Sequence, residues 1–130
     1  MQRRCEYLAV SRDIDGKSGL VSVLISDVLL LYFDGVYDRL IIHTMQDQYY
    51  TMGSLKYWTE ALNSSGYAFR IVDRNNAANL DNVAFIDSAS KKVYFEQVTH
   101  PKSKYCTISD QQFKKLKAEY GDGQLLFVKR

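Results

Sequence analysis

Residues 69–87 read FRIVDRNNAANLDNVAFID: a strand-like run, then four asparagines (Asn75, Asn76, Asn79 and Asn82) beside Arg74, then an apolar pattern again. Asparagine and aspartate favour turns because their side chains hydrogen-bond to nearby backbone. The stretch therefore reads as an Asx-rich turn between strands. A turn accounts for one or two asparagines; four leave something over. Asn79 and Asn82 read as structural residues that close a strand and a turn. Arg74, Asn75 and Asn76 read as contact residues, because a guanidinium suits guanine edges and phosphates and a carboxamide suits adenine edges.

The pattern on either side is mainly strand. Upstream lie Glu6–Val10, Gly19–Ser26, and Asp27–Phe33, whose unbroken apolar run fits a strand buried on both faces. Asp34-Gly35 signals a turn, and Leu40–Thr44 with Gln48–Met52 reads as a hairpin around Met45–Asp47. Gly53-Ser54 then opens a helix whose apolar residues Leu55, Trp58 and Leu62 share one face, stopped by Asn63-Ser64-Ser65-Gly66. Strands resume at Tyr67–Val72, Ala84–Asp87 and Lys92–Val98. A second helix starts at Ser109, with Gln112 completing a capping box and Ile108 stapling onto Phe113. Phe113, Leu116 and Tyr120 form its apolar stripe, Gly121-Asp122-Gly123 ends it, and Gln124–Val128 suits a last strand. The expected class is mainly β, antiparallel, with two short helices.

At 130 residues with 46% apolar content, the chain reads as a single domain, 1–130, able to bury roughly two-thirds of its unfolded surface without disulfides or metal. The net charge of +2 says little about partners. Residues 1–65 carry six basic against eight acidic groups and residues 66–130 eleven against seven, so any anionic partner would favour the second half. Cys5, Cys106, His43 and His100 have no zinc-ligand spacing. Free thiols suit a reducing cytoplasm, and Cys106 reads as buried and inert. There is no signal-peptide pattern, and the longest apolar run, Val28 to Phe33, is too short to span a bilayer.

Catalysis requires an activated nucleophile, a carboxylate pair or a metal cluster, and none is visible. His43 sits in an alternating strand and His100 beside Pro101 in a loop, Asp34 and Asp38 flank a turn, and no phosphate-binding glycine loop occurs. The chain is expected not to be an enzyme and to need no cofactor.

The order of landmarks is YFDG, YDRLIIHT, YYTMGSLKYWTEAL, FRIVDRNNAANLDNVAFID, KKVYFE and CTISDQQFKKL. It resembles the LytTR-type DNA-binding domain of bacterial transcription regulators over about residues 20–118, most specifically from Phe69 to Asn82. The resemblance implies an elongated stack of small antiparallel sheets, a β-β-β sandwich with short helices at its side, whose loops enter successive major grooves of duplex DNA. It places Asp38, Arg74 and Gln111 at base-reading positions, the last two residues after Ser109. It brings Arg39, Lys56, Lys114 and Lys115 near phosphates, with Asn75 and Asn76 beside Arg74. The sequence departs from the family where Ile71-Val72-Asp73 replaces a basic segment, where Asp110 and Gln111 follow the capping serine, and at Asp38. These carboxylates favour an alternative: a LytTR-like protein-interaction module, such as an antagonist of a regulator, that has lost DNA binding. The expected partners are duplex DNA, a second copy on repeated half-sites, and a regulatory protein, with no membrane. The 19 residues before Leu20 are too few for a receiver domain.

Overall fold

The computed structural model describes residues 5–129. In chain order the strands are β1 (Tyr7–Val10), β2 (Val21–Leu24), β3 (Leu30–Asp34), β4 (Arg39–His43), β5 (Gln48–Thr51), β6 (Phe69–Asp73), β7 (Asn76–Asn79), β8 (Phe85–Asp87), β9 (Lys92–Tyr94), β10 (Tyr105–Thr107) and β11 (Phe127–Val128). Helix α1 (Leu55–Ser64) lies between β5 and β6, and α2 (Asp110–Tyr120) between β10 and β11. They form three sheets: β1-β2, the five-stranded β5-β4-β3-β7-β6, and β10-β9-β8-β11. All pairings are antiparallel except β8 with β11, which run parallel.

The five-stranded sheet separates two apolar cores, because side chains alternate across each strand. On β3, Leu31 and Phe33 face the core shared with α1 and the β1-β2 sheet, while Leu30 and Tyr32 face the core shared with α2 and the third sheet. The run Val28 to Phe33 is apolar because both of its faces are covered. Helix α1 contributes Leu55, Trp58 and Leu62 to the first core. Helix α2 contributes Phe113 and Leu116 to the second, with Tyr120 packed against it.

The asparagine stretch contains a strand that its composition conceals. Asn76–Asn79 pairs with β3 through Leu30↔Ala78, Leu31↔Ala77 and Tyr32↔Asn76, and with β6 on its other side. Ala77 and Ala78 are 0% exposed and belong to opposite cores. Alanine has poor strand propensity, but burial on both faces overrides it. The turn is thus confined to Arg74-Asn75. Asn79, 1% exposed, donates to Val28 O at 2.9 Å and accepts from Asp81 N. Asn82 donates to Ser26 O and Val28 O at 2.8 and 2.9 Å. Both asparagines therefore serve the fold, as their positions suggest.

Other boundaries moved. Lys92–Val98 is a strand only to Tyr94, and Tyr105–Thr107 is a strand that its three residues did not announce. Ser109 caps α2 by accepting from Gln112 N at 3.2 Å, but the capping box is only half made. Ser109 N donates to Val72 O instead, and the Gln112 carboxamide accepts from Arg70 Nε. Arg70 also forks onto Glu119 at 2.7 and 3.2 Å, which ties α2 to β6. This pairing raises the Arg70 pKa and lowers that of Glu119.

Two outcomes follow from this packing. Ala78→Leu forces a larger side chain into a filled interior and should lower unfolding stability by about 1–3 kcal/mol in urea titration. The same change at exposed Ala118 on α2 should leave it nearly unchanged. The second outcome concerns His43, whose Nδ1 is buried without a hydrogen-bond partner. Burial first, and Lys104 second, hold its pKa down from 6.5 to about 4. The folded state keeps the ring neutral, so its stabilising contribution is complete above pH 6.5 and is lost as pH falls toward 4. Urea unfolding between pH 7 and 5 should show a steeper loss for the wild type than for His43→Phe.

Candidate nucleic-acid interface

The strand registers bring four separate segments to one end of the five-stranded sheet. Asp34 pairs with Arg39, so the β3–β4 turn (residues 35–38) projects from the end where β3 leaves the sheet. Tyr32 pairs with Asn76 and Phe33 N donates to Asn75 O at 2.9 Å, so the Arg74-Asn75 turn stands at the same end. Leu40 pairs with Thr51, which places the β5–α1 junction there too. Ser109 N bonded to Val72 O brings the start of α2 alongside.

Each segment is held firmly. Asp73 does not face outward as a free carboxylate: its Oδ1 accepts from Arg74 N at 2.8 Å and its Oδ2 from the Thr107 hydroxyl. Thr107 also accepts from Asn76 Nδ2 at 3.1 Å. The turn carrying Arg74 is thereby fastened to β10. Thr107 joins the site from 34 residues away, and nothing in the linear pattern points to it. At the β5–α1 junction, Ser54 caps α1 by accepting from Tyr57 N, and Trp58 Nε1 donates to Met52 O at 2.7 Å. Gly53 has φ +112, and a Cβ there would lie 2.7 Å from Trp58 Nε1, so only glycine fits.

The residues expected at the site fall into two groups. Asp38, Lys56, Arg74, Asn75, Gln111, Lys114 and Lys115 are exposed. Among the described residues the Arg74 guanidinium has no hydrogen-bond or ion-pair partner. Lys114 and Lys115 lie about one helical turn beyond Gln111 on the open side of α2. The second group is engaged internally. Arg39 donates from Nε to Ile14 O at 2.8 Å and from Nη1 to Tyr37 O and Asp38 O, with Asp15 at 3.9 Å from Nη2. It braces the turn instead of standing free. Asn76 is held by Thr107, and the Ser109 hydroxyl is occupied as a cap. A cation absent from the expected set, Lys92, pairs in register with Thr107 and stands 4.4 Å from the Tyr105 ring centroid. The lysine pair in KKVYFE was its only signal.

The buried groups nearby are inert. Cys106 lies in the second core, where burial pushes its thiol up to about 12. No helix among the described residues is long and apolar enough to cross a membrane.

The family described as the LytTr DNA-binding domain matches residues 18–121. No curated protein sequence matches the chain. Among solved structures, the LytTr DNA-binding domain of a Bacillus cereus methyl-accepting/DNA response regulator superposes with a TM-score of 0.66 at 13% identity, covering 90% of this chain and 98% of that one. That likeness is one of fold, and the three-sheet architecture with two helices agrees with it. With most of its length matched, the chain belongs to the LytTr DNA-binding domain family.

Proposed function

We propose that this protein is a sequence-specific regulator of transcription that binds duplex DNA through the end of the sheet carrying Asp38, Lys56, Arg74 and Gln111. The observation that supports this reading most is the convergence of four braced segments on one end, three of them carrying exposed cations: Lys56, Arg74, and Lys114 with Lys115. Arg74 reads a base edge, forking onto guanine O6 and N7, with Asn75 beside it. Lys56, Lys114 and Lys115 neutralise phosphates, and Lys92 extends that set. Asp38 and Gln111 read further base edges in the adjoining groove. DNA binding places the protein in the cytoplasm, and repeated half-sites would seat a second copy.

The interaction-module alternative rested on the acidic groups in these loops. The state of Asp73 weakens it, since that carboxylate is consumed by the turn it shapes. Arg39, used as a brace, leaves the phosphate set smaller than its sequence position suggests. The four lysines assigned to phosphates (Lys56, Lys92, Lys114 and Lys115) correspond to a slope of log affinity against log salt of about −3 to −4.

Arg74→Ala should weaken binding to the preferred duplex by about 1–3 kcal/mol and to random duplex far less. Lys115→Ala should weaken both by similar factors and flatten the salt slope by about one unit. Fluorescence anisotropy at several salt concentrations separates these outcomes. Absence of duplex binding at low salt, in protein shown folded by circular dichroism, would return the interaction-module reading.

A further inference from the structure

The β3–β4 turn presents an unusual surface for a segment at a DNA-facing end. Val36 is 89% exposed and Tyr37 58%, and the next side chain is the acid Asp38. The turn has no free cation, because Arg39 is bonded to Ile14 O and to the turn's own carbonyls. The last residue of β3 is also engaged: Asp34 Oδ1 accepts from Val36 N at 3.0 Å and from Tyr37 N at 3.3 Å. Asp38 has φ 54, a left-handed conformation that costs a non-glycine residue energy and persists where its surroundings enforce it. The turn is thus clamped from both sides, and its outward chemistry is apolar and acidic.

That chemistry is wrong for phosphates and right for base edges. A valine methyl has one apolar counterpart in the major groove, the C5-methyl of thymine, and an aspartate can accept from cytosine N4. Phosphate contacts fix register, while base contacts carry sequence information. A turn that gives up its cation to rigidity, and then projects a valine, is built for the second task.

We propose that Val36 is a specificity-determining residue that reads the C5-methyl group of a thymine, with the braced β3–β4 turn setting its position. The proposal rests on the DNA-binding reading above and adds a base preference that Arg74 does not supply. Substituting Val36 should leave the fold intact, because its side chain contributes almost nothing to either core.

The test is a thymine-to-deoxyuridine scan of the preferred duplex selected from a random pool. Each substitution removes one methyl and keeps every Watson–Crick hydrogen bond. With the unmutated protein, one thymine position should lose affinity by roughly fourfold, the factor expected for burying one methyl-sized group. With Val36→Ala, the thymine duplex should bind more weakly and the uracil substitution at that position should have no further effect. The scan on the unmutated protein requires no variant to fold. If every thymine tolerates the change, or if the loss persists in Val36→Ala, Val36 does not read a methyl, while the Arg74 reading stands. If no duplex is enriched from the pool, sequence-specific binding itself fails and this inference with it.

Discussion

Two adjacent alanines set the arrangement of the whole domain. Ala77 and Ala78 lie on a strand hydrogen-bonded on both edges and covered on both faces, each fully buried in a different core. Larger side chains would push the two layers apart, because protein interiors have little free volume. With alanine there, β7 fits between β3 and β6, and its short connection to β6 forces Arg74 and Asn75 out at the end where β3 turns into β4. Asn79 then fastens the far end of the strand to Val28 O. The end proposed as the interface is therefore a consequence of register: fixing β7 fixes which loops share it.

The proposed binding end is economical in charge. Of the ionisable groups near it, Arg39 and Asp73 are spent on shaping the turns, and Arg70 with Glu119 on docking α2. What remains at the surface is a small set of lysines, one arginine, and polar or apolar side chains on braced turns. Under the proposed function, few phosphate contacts would give modest nonspecific attraction, and discrimination between sites would fall to the turns. Their rigidity suits that task, since a side chain already held in place loses little freedom on binding.

Much of this was legible in the sequence, and the remainder was not, for physical reasons. Both helices could be read because caps and apolar stripes are local signals: Ser54 and Ser109 accept the hydrogen bonds that their positions suggest. The Leu40–Thr44 and Gln48–Met52 hairpin was likewise visible. Strand β7 was hidden because Asn-Ala-Ala-Asn has no β-branched residue, and its stability comes from neighbours distant in sequence. The second half of the capping box failed because Ser109 N found a partner on β6, which no local pattern encodes. At the site, exposure of Arg74 and Gln111 could be anticipated from their places in a turn and a first helical turn. The internal engagement of Arg39 and Asp73 depended on Ile14 and Thr107, 25 and 34 residues away.

The central claim is that one end of the five-stranded sheet meets DNA. Backbone amide chemical shifts followed by NMR during titration with the selected duplex test it most directly. The account predicts shifts concentrated at residues 36–38, 54–57, 73–76 and 109–115, with residues 45–47 and 98–103, at the opposite end, unmoved. Perturbations centred on that opposite end, or spread evenly over the surface, would contradict it.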